Sequence, residues 1–513
     1  MYSKIYGAGI TGIDGFIVTV ECSVRNGISH FELVGLPDLA VREAQQRVRN
    51  ACANSGIQFP FGDITVNLAP ADKKKEGSAL DLPLLLAILQ GGAVIAPERD
   101  LSKKCFVGEL SLSGEVRGVR GALSMCVAAR DAGFEQFYVP ESNADEASAV
   151  EGIEVIPVRN IAELVRHLNG NLNIEPIIYD AKKFHNKVRK YDKDFSDVKG
   201  QALAKRAMEI AAAGGHNILL IGPPGTGKSM IAKRLPSILP PLTFDEAIES
   251  TKIYSISGIL TDGALMSARP FRSPHHTMSA VSLVGGGANP VPGEVSLSHN
   301  GVLFLDELPE FSKQVTDTLR QPLEDGKVTI TRALAKVTFP CNFMLVAAMN
   351  PCRCGYFGHP TRQCTCRPDD VKKYISKISG PMLDRIDIQV ELPSLSYVEI
   401  SENEEQGERS EVIRERVIEA REYSRARMQK SSYAPKPNAN LDSAEIREFC
   451  VLDENARMIL QSAYDNLGLS ARGYDRVLRV ARTIADLDKS EVIQAQHIAE
   501  AIQLRSLDKK YWG

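Results

Sequence analysis

From Gly222 to Ser229 the chain reads Gly-Pro-Pro-Gly-Thr-Gly-Lys-Ser, the spacing G-x-x-x-x-G-K-S. The run Gly222, Pro223, Pro224, Gly225, Thr226 and Gly227 can turn successive backbone N–H groups inward around a phosphate. Lys228 can then reach the β- and γ-phosphates, and the Ser229 hydroxyl can sit on Mg²⁺. Met230 opens the helix expected next, whose N-terminal end faces the same anion. A Gly-rich turn without a ligand is the plainer alternative, but the apolar run Ile218 to Ile221 just before it reads as a buried parallel strand. The chemistry implied is binding of ATP with Mg²⁺.

Four further residues complete a hydrolytic set. Val302 to Leu305 is apolar and ends in Asp306 and Glu307. Asp306 would hold Mg²⁺, and Glu307 would orient and polarise the attacking water as a general base. Phe343 to Met349 reads as another buried strand ending in Asn350. A polar amide there lies where open α/β sheets bind ligands, so Asn350 is a candidate for the γ-phosphate or the lytic water. In isolation an Asn before Pro351 is a turn residue. Arg385, within Leu-Asp-Arg-Ile-Asp, is a candidate arginine finger supplied to a neighbouring subunit; the local alternative is a surface charge cluster with Asp384 and Asp387.

Cys352, Cys354, Cys364 and Cys366 form two C-x-C pairs, while six other cysteines are scattered. Four thiolates on two short turns suit tetrahedral, structural Zn²⁺ and leave no open catalytic position. Disulfides or a metal-free redox pair are the alternatives. His359 lies between the pairs and could substitute for a ligand or support one. Arg353, Arg362 and Arg367 make this loop basic, as zinc-held loops that meet nucleic acid often are.

The elements that position these groups alternate between short apolar strands and helical patterns, an α/β signature. Ala202 to Ala213 has helical periodicity ahead of the phosphate loop; the entry segment before it resembles the one that covers the adenine in nucleotide motors, which makes Val198 and Gln201 candidates for contact with the base. Lys327 to Phe339 alternates and reads as a β-hairpin with Arg332 and Lys336 near its turn. After residue 393 the patterns are all helical: Ile413 to Met428, Ala444 to Cys450, Asn455 to Leu467, Tyr474 to Asp486 and Ile493 to Leu504. Ahead of residue 168, strands at Phe16 to Val20, Phe31 to Val34, Ile64 to Leu68 and Phe106 to Leu110 alternate with helices at Leu39 to Ala53, Ala79 to Leu89 and Ala122 to Ala132. Ile253 to Pro292, carrying Arg269, Arg272, His275 and His276, reads as an insertion.

The 513 residues suggest about three domains. A net charge of −3 confines any nucleic-acid contact to local patches. The N-terminus lacks the apolar run of a signal peptide, and Leu82 to Ala96 is too short to cross a bilayer. The expectation is a cytoplasmic protein without membrane contact.

Two resemblances follow. Pro70 to Leu89 with Phe106 to Phe134 resembles the proteolytic domain of the Lon family, which uses a Ser–Lys dyad. Ser78 lies near the nucleophile's place, but the matching helix, Gly121 to Ala132, carries no Lys. The expectation is a Lon-like fold without peptidase activity, with Ser78 as a helix N-cap and Lys73 to Lys75 as a solvated loop, a DNA or partner contact being the alternative for that run. Over essentially its whole length the chain is similar to the ComM/YifB family, the magnesium-chelatase-like AAA+ ATPases with a Lon-like N-terminal domain. The supporting stretches include Pro270 to Gly287, Pro292 to Phe311, Leu319 to Ala333 and Gly380 to Pro393.

That resemblance implies a Lon-like α/β domain over 1–168, a linker over 169–194, an AAA+ P-loop α/β domain over 195–392 with the zinc loop 352–366, and an all-α lid over 393–513. It implies a homo-hexameric ring whose insert and hairpin line a channel, and a DNA helicase driving branch migration of recombination intermediates on single-stranded or branched DNA, as in natural transformation. Arg472 sits where the family has its second sensor, an Arg reaching ATP within the same subunit; Arg476, one turn on, is the alternative. A chelatase-like or protein-remodelling ATPase without a DNA substrate is the rival reading.

Overall fold

The computed structural model describes residues 1–97, 100–179, 191–260, 264–287, 290–332, 335–395, 407–467 and 469–512. The chain forms two compact units. One comprises Met1–Val188, Thr243–Ser267 and Thr331–Phe339; the other comprises Arg189–Leu242, Ala268–Ile330 and Pro340–Gly513.

The first unit is built on a seven-stranded mixed sheet, ordered His30–Val34, Asp63–Ala69, Asp14–Arg25, Tyr2–Thr11, Lys104–Phe106, Gln136–Pro140 and Glu154–Val158. Alternation buries Phe16, Val18, Val20 and Cys22 on one face of the second strand. The Tyr2–Thr11 strand is not evident in the sequence, because Gly7 and Gly9 interrupt its apolar positions. It pairs antiparallel with Asp14–Arg25 through a two-residue turn, where Gly12 supplies a φ of +65°. The Asp81–Gly91 helix is buried almost all round, which accounts for the long apolar stretch as a core helix rather than a membrane one. No helix among the described residues is long and apolar enough to cross a membrane.

Several sequence expectations need correction here. The expected strand Phe106 to Leu110 is two pieces, Lys104–Phe106 and Glu109–Leu110, and between them the Gly108 carbonyl accepts the Leu82 N–H. Ser78 does not cap a helix. The N-cap position of Asp81–Gly91 is Leu80, without a side-chain bond, and the Ser78 hydroxyl donates to the Glu109 carboxylate instead. Lys75 is not solvated: it is 1% exposed, its amine donates to the Pro70 carbonyl, and burial lowers its pKa. The first part of the expected insertion belongs to the Phe244–Ser257 helix, opened by a Thr243–Glu246 capping box.

The second unit carries a five-stranded parallel sheet ordered Phe271–Arg272, Val302–Leu305, Met344–Met349, Ile218–Ile221 and Ile388–Glu391. Its three inner strands are buried along their whole length, as parallel strands covered on both faces are. Ala202–Gly214 packs on this sheet, and the helices Ser410–Lys430, Ser443–Phe449, Glu454–Leu467, Ala471–Leu487 and Ala495–Gln503 close over it. Leu220, Val346, Val390, Val417, Val480 and Ile484 share a single apolar core, so the helical region is fused to the sheet rather than tethered. The hairpin is present as Lys327–Arg332 and Ala335–Pro340. Lys182, Lys183, Lys187, Arg189 and Lys190 of the linker, and residues 402–406, lie outside the described residues.

Candidate functional site

The phosphate loop leaves the C-terminal end of an inner strand, the fourth of the five. Ile218–Ile221 lies between Met344–Met349 and Ile388–Glu391, parallel to both. The loop is pinned at its root: the Gly222 N–H donates to the Met349 carbonyl at 3.2 Å, and the Leu392 N–H to the Ile221 carbonyl at 2.7 Å. Gly225 and Gly227 take φ of +81° and +88°, conformations that a Cβ disfavours. Gln201 does not reach out toward a base. Its amide donates to the carbonyls of Thr226, at 3.3 Å, and Pro393, at 2.8 Å, bracing the loop from behind.

Lys228 is only 8% exposed. Its Nζ donates to the carbonyls of Gly222 at 2.7 Å and Pro223 at 2.8 Å, and to Asn350 Oδ1 at 3.1 Å. Burial depresses its pKa to about 8, against the opposing pull of the Asp306 and Glu307 carboxylates. The Ser229 hydroxyl donates to Asp306 Oδ2 at 2.7 Å. Four residues spread over more than a hundred positions thus converge at the ends of three parallel strands. The amine, amide, hydroxyl and carboxylate are what a triphosphate with its cation requires.

Glu307 follows Asp306 in a left-handed conformation, φ +54° and ψ +48°. Its N–H donates to Asp306 Oδ1 at 3.0 Å, and its carboxylate lies 3.8 Å from His276 Nδ1. His276 and Glu307 are distant in the chain and meet where the Phe271–Arg272 strand pairs parallel with Val302–Leu305. Met230 is exposed at the helix start. Of the expected insert's arginines, Arg269 donates to the Pro240 and Asn300 carbonyls at 2.7 Å, and Arg272 holds Glu294 through two bonds of 2.7 Å.

Arg385 is not gathered into this cluster within its own chain. It donates to the carbonyls of Arg320 at 3.0 Å and Pro381 at 2.7 Å, and pairs with Glu324. The two lid arginines differ sharply. Arg472 is 73% exposed and lies 3.8 Å from Asp384, whereas Arg476 is 6% exposed, with Nη2 3.3 Å from Asp384 Oδ1.

The cysteine loop begins two residues after Asn350. The four Sγ atoms lie within 4.8 Å of one another, and three of their separations are 3.3, 3.7 and 3.6 Å. Tetrahedral Zn–S bonds of about 2.3 Å place sulfurs about 3.8 Å apart, so the cluster fits the metal. Burial works against ionisation of Cys354, but the N–H groups of Tyr356 and Thr365 and the neighbouring thiols draw it down to about 5. All ten cysteines are free of disulfides. His359 is not a ligand here. Its Nδ1 accepts from the N–H groups of Thr361 at 3.2 Å and Arg362 at 3.0 Å, and its Nε2 faces the Ser394 hydroxyl at 2.9 Å.

Three family models match the chain: the magnesium chelatase subunit ChlI model over residues 194–400, a second ChlI subunit model over 20–143, and the ChlI C-terminal model over 407–505. Escherichia coli YifB is 42% identical over 508 residues, covering 99% of this chain and 97% of that protein. The competence protein ComM of Haemophilus influenzae is 42% identical over 507 residues, covering 98% of this chain and 97% of its own length. An archaeal Lon protease from Methanocaldococcus jannaschii is 26% identical over 175 residues, 31% of this chain and 26% of that protein.

Proposed function

Since the chain belongs to the ComM/YifB family of magnesium-chelatase-like AAA+ ATPases, we propose that it is a ring-forming DNA motor, a hexameric helicase that promotes branch migration of recombination intermediates. The observation that carries the ATPase part is the convergence of Lys228 with Asn350 and of Ser229 with Asp306 at the ends of parallel strands. The DNA part follows the relative named for competence.

In this reading Lys228 exchanges its two carbonyls and the Asn350 amide for β- and γ-phosphate oxygens. Ser229 and Asp306 hold Mg²⁺, which when bound neutralises charge on the transferring phosphoryl group. Glu307 orients the attacking water, and Asn350 reads whether the γ-phosphate is present. Arg385 leaves Glu324 to reach the nucleotide of the adjoining subunit, and Arg472 or Arg476 reports from the lid. The backbone N–H groups of Gly222 to Met230 cradle the phosphates. Cys352, Cys354, Cys364 and Cys366 hold Zn²⁺ as a structural clip. Arg332 and Lys336 are exposed on the hairpin and suit a DNA backbone. The domain limits keep the division at 168, 194 and 392, and the compartment is the cytoplasm.

The match of all three chelatase family models favours a second reading, a metal-insertion or remodelling ATPase without DNA. ATPase rates with and without single-stranded and forked DNA separate the two. The motor reading expects salt-sensitive stimulation by DNA; equal rates at low salt contradict it.

A further inference from the structure

His216 and Asn217 stand immediately before the Ile218–Ile221 strand and clasp the turn that carries Arg385. The Asn217 side chain donates to the Arg385 carbonyl at 2.8 Å and accepts the Leu345 N–H at 2.8 Å. The Asn217 carbonyl accepts the N–H groups of Asp387 at 3.0 Å and Ile388 at 3.1 Å. The His216 ring is wholly buried. Its Nδ1 is 3.0 Å from Asp387 Oδ2, and its Nε2 is 2.8 Å from Thr483 Oγ1.

Thr483 belongs to Ala471–Leu487, the lid helix that also carries Arg472 and Arg476. Its hydroxyl donates to the Arg479 carbonyl at 3.0 Å and accepts from Asn438 Nδ2 at 3.1 Å, so it is fixed within the lid. On the other side, Asp387 Oδ1 lies 4.0 Å from Arg476 Nε. Burial would raise the Asp387 carboxyl, but the His216 bond and the charges of His216, Arg476 and Arg479 hold it below its ordinary value. Arg476 is buried with its Nη1 lacking a hydrogen-bond partner. Space at this junction is tight. A Cβ on Gly214 would overlap the His216 ring and come within 2.5 Å of Thr483 Oγ1.

One imidazole therefore joins three parts of the nucleotide machinery: the strand that launches the phosphate loop, the turn bearing Arg385, and the lid helix bearing Arg476. We propose that His216 is a positioning residue that couples lid to turn, holding Arg476 and Arg385 in register with Lys228 during hydrolysis. The proposal rests on the ATPase reading above. A buried hydrogen-bonded residue that served only to fill the core would be replaceable by an apolar ring without a selective effect on turnover.

The test uses the full-length chain and reads four quantities: affinity for a fluorescent ATP analogue, kcat for ATP, assembly mass and melting temperature. His216→Phe, which keeps a ring and loses both bonds, is expected to lower kcat about tenfold or more while ATP affinity changes less than about threefold. His216→Asn, which keeps an amide near the Nδ1 position, recovers part of that loss. In double-mutant cycles His216→Phe is non-additive with Arg476→Ala and additive with Asn350→Ala. An assembled His216→Phe protein with unchanged kcat, or additivity with Arg476→Ala, overturns the proposal. Should His216→Phe fail to assemble, Thr483→Val removes only the lid-side hydroxyl, and unchanged turnover in that variant overturns the proposal equally. A wild-type chain that binds ATP and never hydrolyses it refutes the ATPase reading itself, and that result is visible before any substitution is made.

Discussion

The backbone of Gly355 rests against the ring of Pro224: a Cβ on Gly355, whose φ is +86°, would come within 2.5 Å of Pro224 Cδ. The cysteine loop and the phosphate loop are thus in direct contact within one unit, and the order of the first supports the shape of the second. Structural zinc supplies on the order of 10 kcal/mol to the segment it orders. Chelation, or Cys354→Ser, is therefore expected to weaken ATP binding as well as lower the melting temperature. Gly355→Ala, a strained and overpacked change worth about 1–3 kcal/mol, should do the same with the metal retained. Titration with an ATP analogue and metal analysis on the same sample check this. Unaltered affinity in a zinc-free protein would contradict it.

Lys228 sets a pH dependence. In the nucleotide-free chain burial holds its pKa at about 8, and phosphate oxygens at the amine raise it. Binding above pH 8 therefore takes up a proton. Affinity is greatest below that value and declines as pH rises through it, with a limiting slope of about tenfold per unit. Calorimetric titrations at pH 9 in two buffers of different ionisation enthalpy measure the uptake. A buffer-independent heat would show that Lys228 is already charged before the nucleotide arrives.

Glu307 and Lys228 should separate chemistry from binding. Glu307 lies at the strand end without a bond to the phosphate-loop lysine, so Glu307→Gln leaves ATP affinity near wild type. It lowers turnover by on the order of 10²–10⁴, the usual worth of a general base. Lys228→Ala removes both binding and turnover. Single-turnover kinetics with an affinity titration distinguish them, and a Glu307→Gln variant that turns over normally would remove Glu307 from the mechanism.

Arg385 is engaged with Glu324 inside its own chain, and its proposed task is across a subunit seam. Arg385→Ala is expected to retain ATP affinity within about threefold and to lose on the order of 10³ or more in turnover. Glu324→Ala, which removes the charged partner and leaves only the Arg320 and Pro381 carbonyls, should raise turnover or leave it unchanged. A loss of ATP binding by Arg385→Ala would place this arginine in its own chain's site instead.

The nucleotide strands and their terminal groups were readable because a buried parallel strand must be continuously apolar. The polar residue that ends it then stands out, as Asp306 after Leu305 and Asn350 after Met349 do. The lid helices were readable for the same kind of reason, as periodic apolar faces. What escaped the sequence depended on folding partners far along the chain. His216 carries no local sign that it meets both Asp387 and Thr483, and His276 none that it meets Glu307. Gln201 was expected at a base and instead braces two carbonyls. Ser78 was expected to cap a helix that begins three residues later, and Lys75 was expected in solvent because a run of three lysines gives no hint that one of them turns inward. The Tyr2–Thr11 strand was hidden by glycines that its hairpin partner tolerates.

The central claim is that ATP is cleaved at a seam between neighbouring copies and the energy spent on DNA. The most direct measurement mixes two inactive variants, Lys228→Ala and Arg385→Ala, and follows ATP hydrolysis on forked DNA. If copies exchange freely in a ring, about one quarter of the seams combine an intact Lys228 with an intact neighbouring Arg385, and a matching fraction of activity returns. Mixtures that stay as inactive as their components, although mixed assemblies form, would contradict the account.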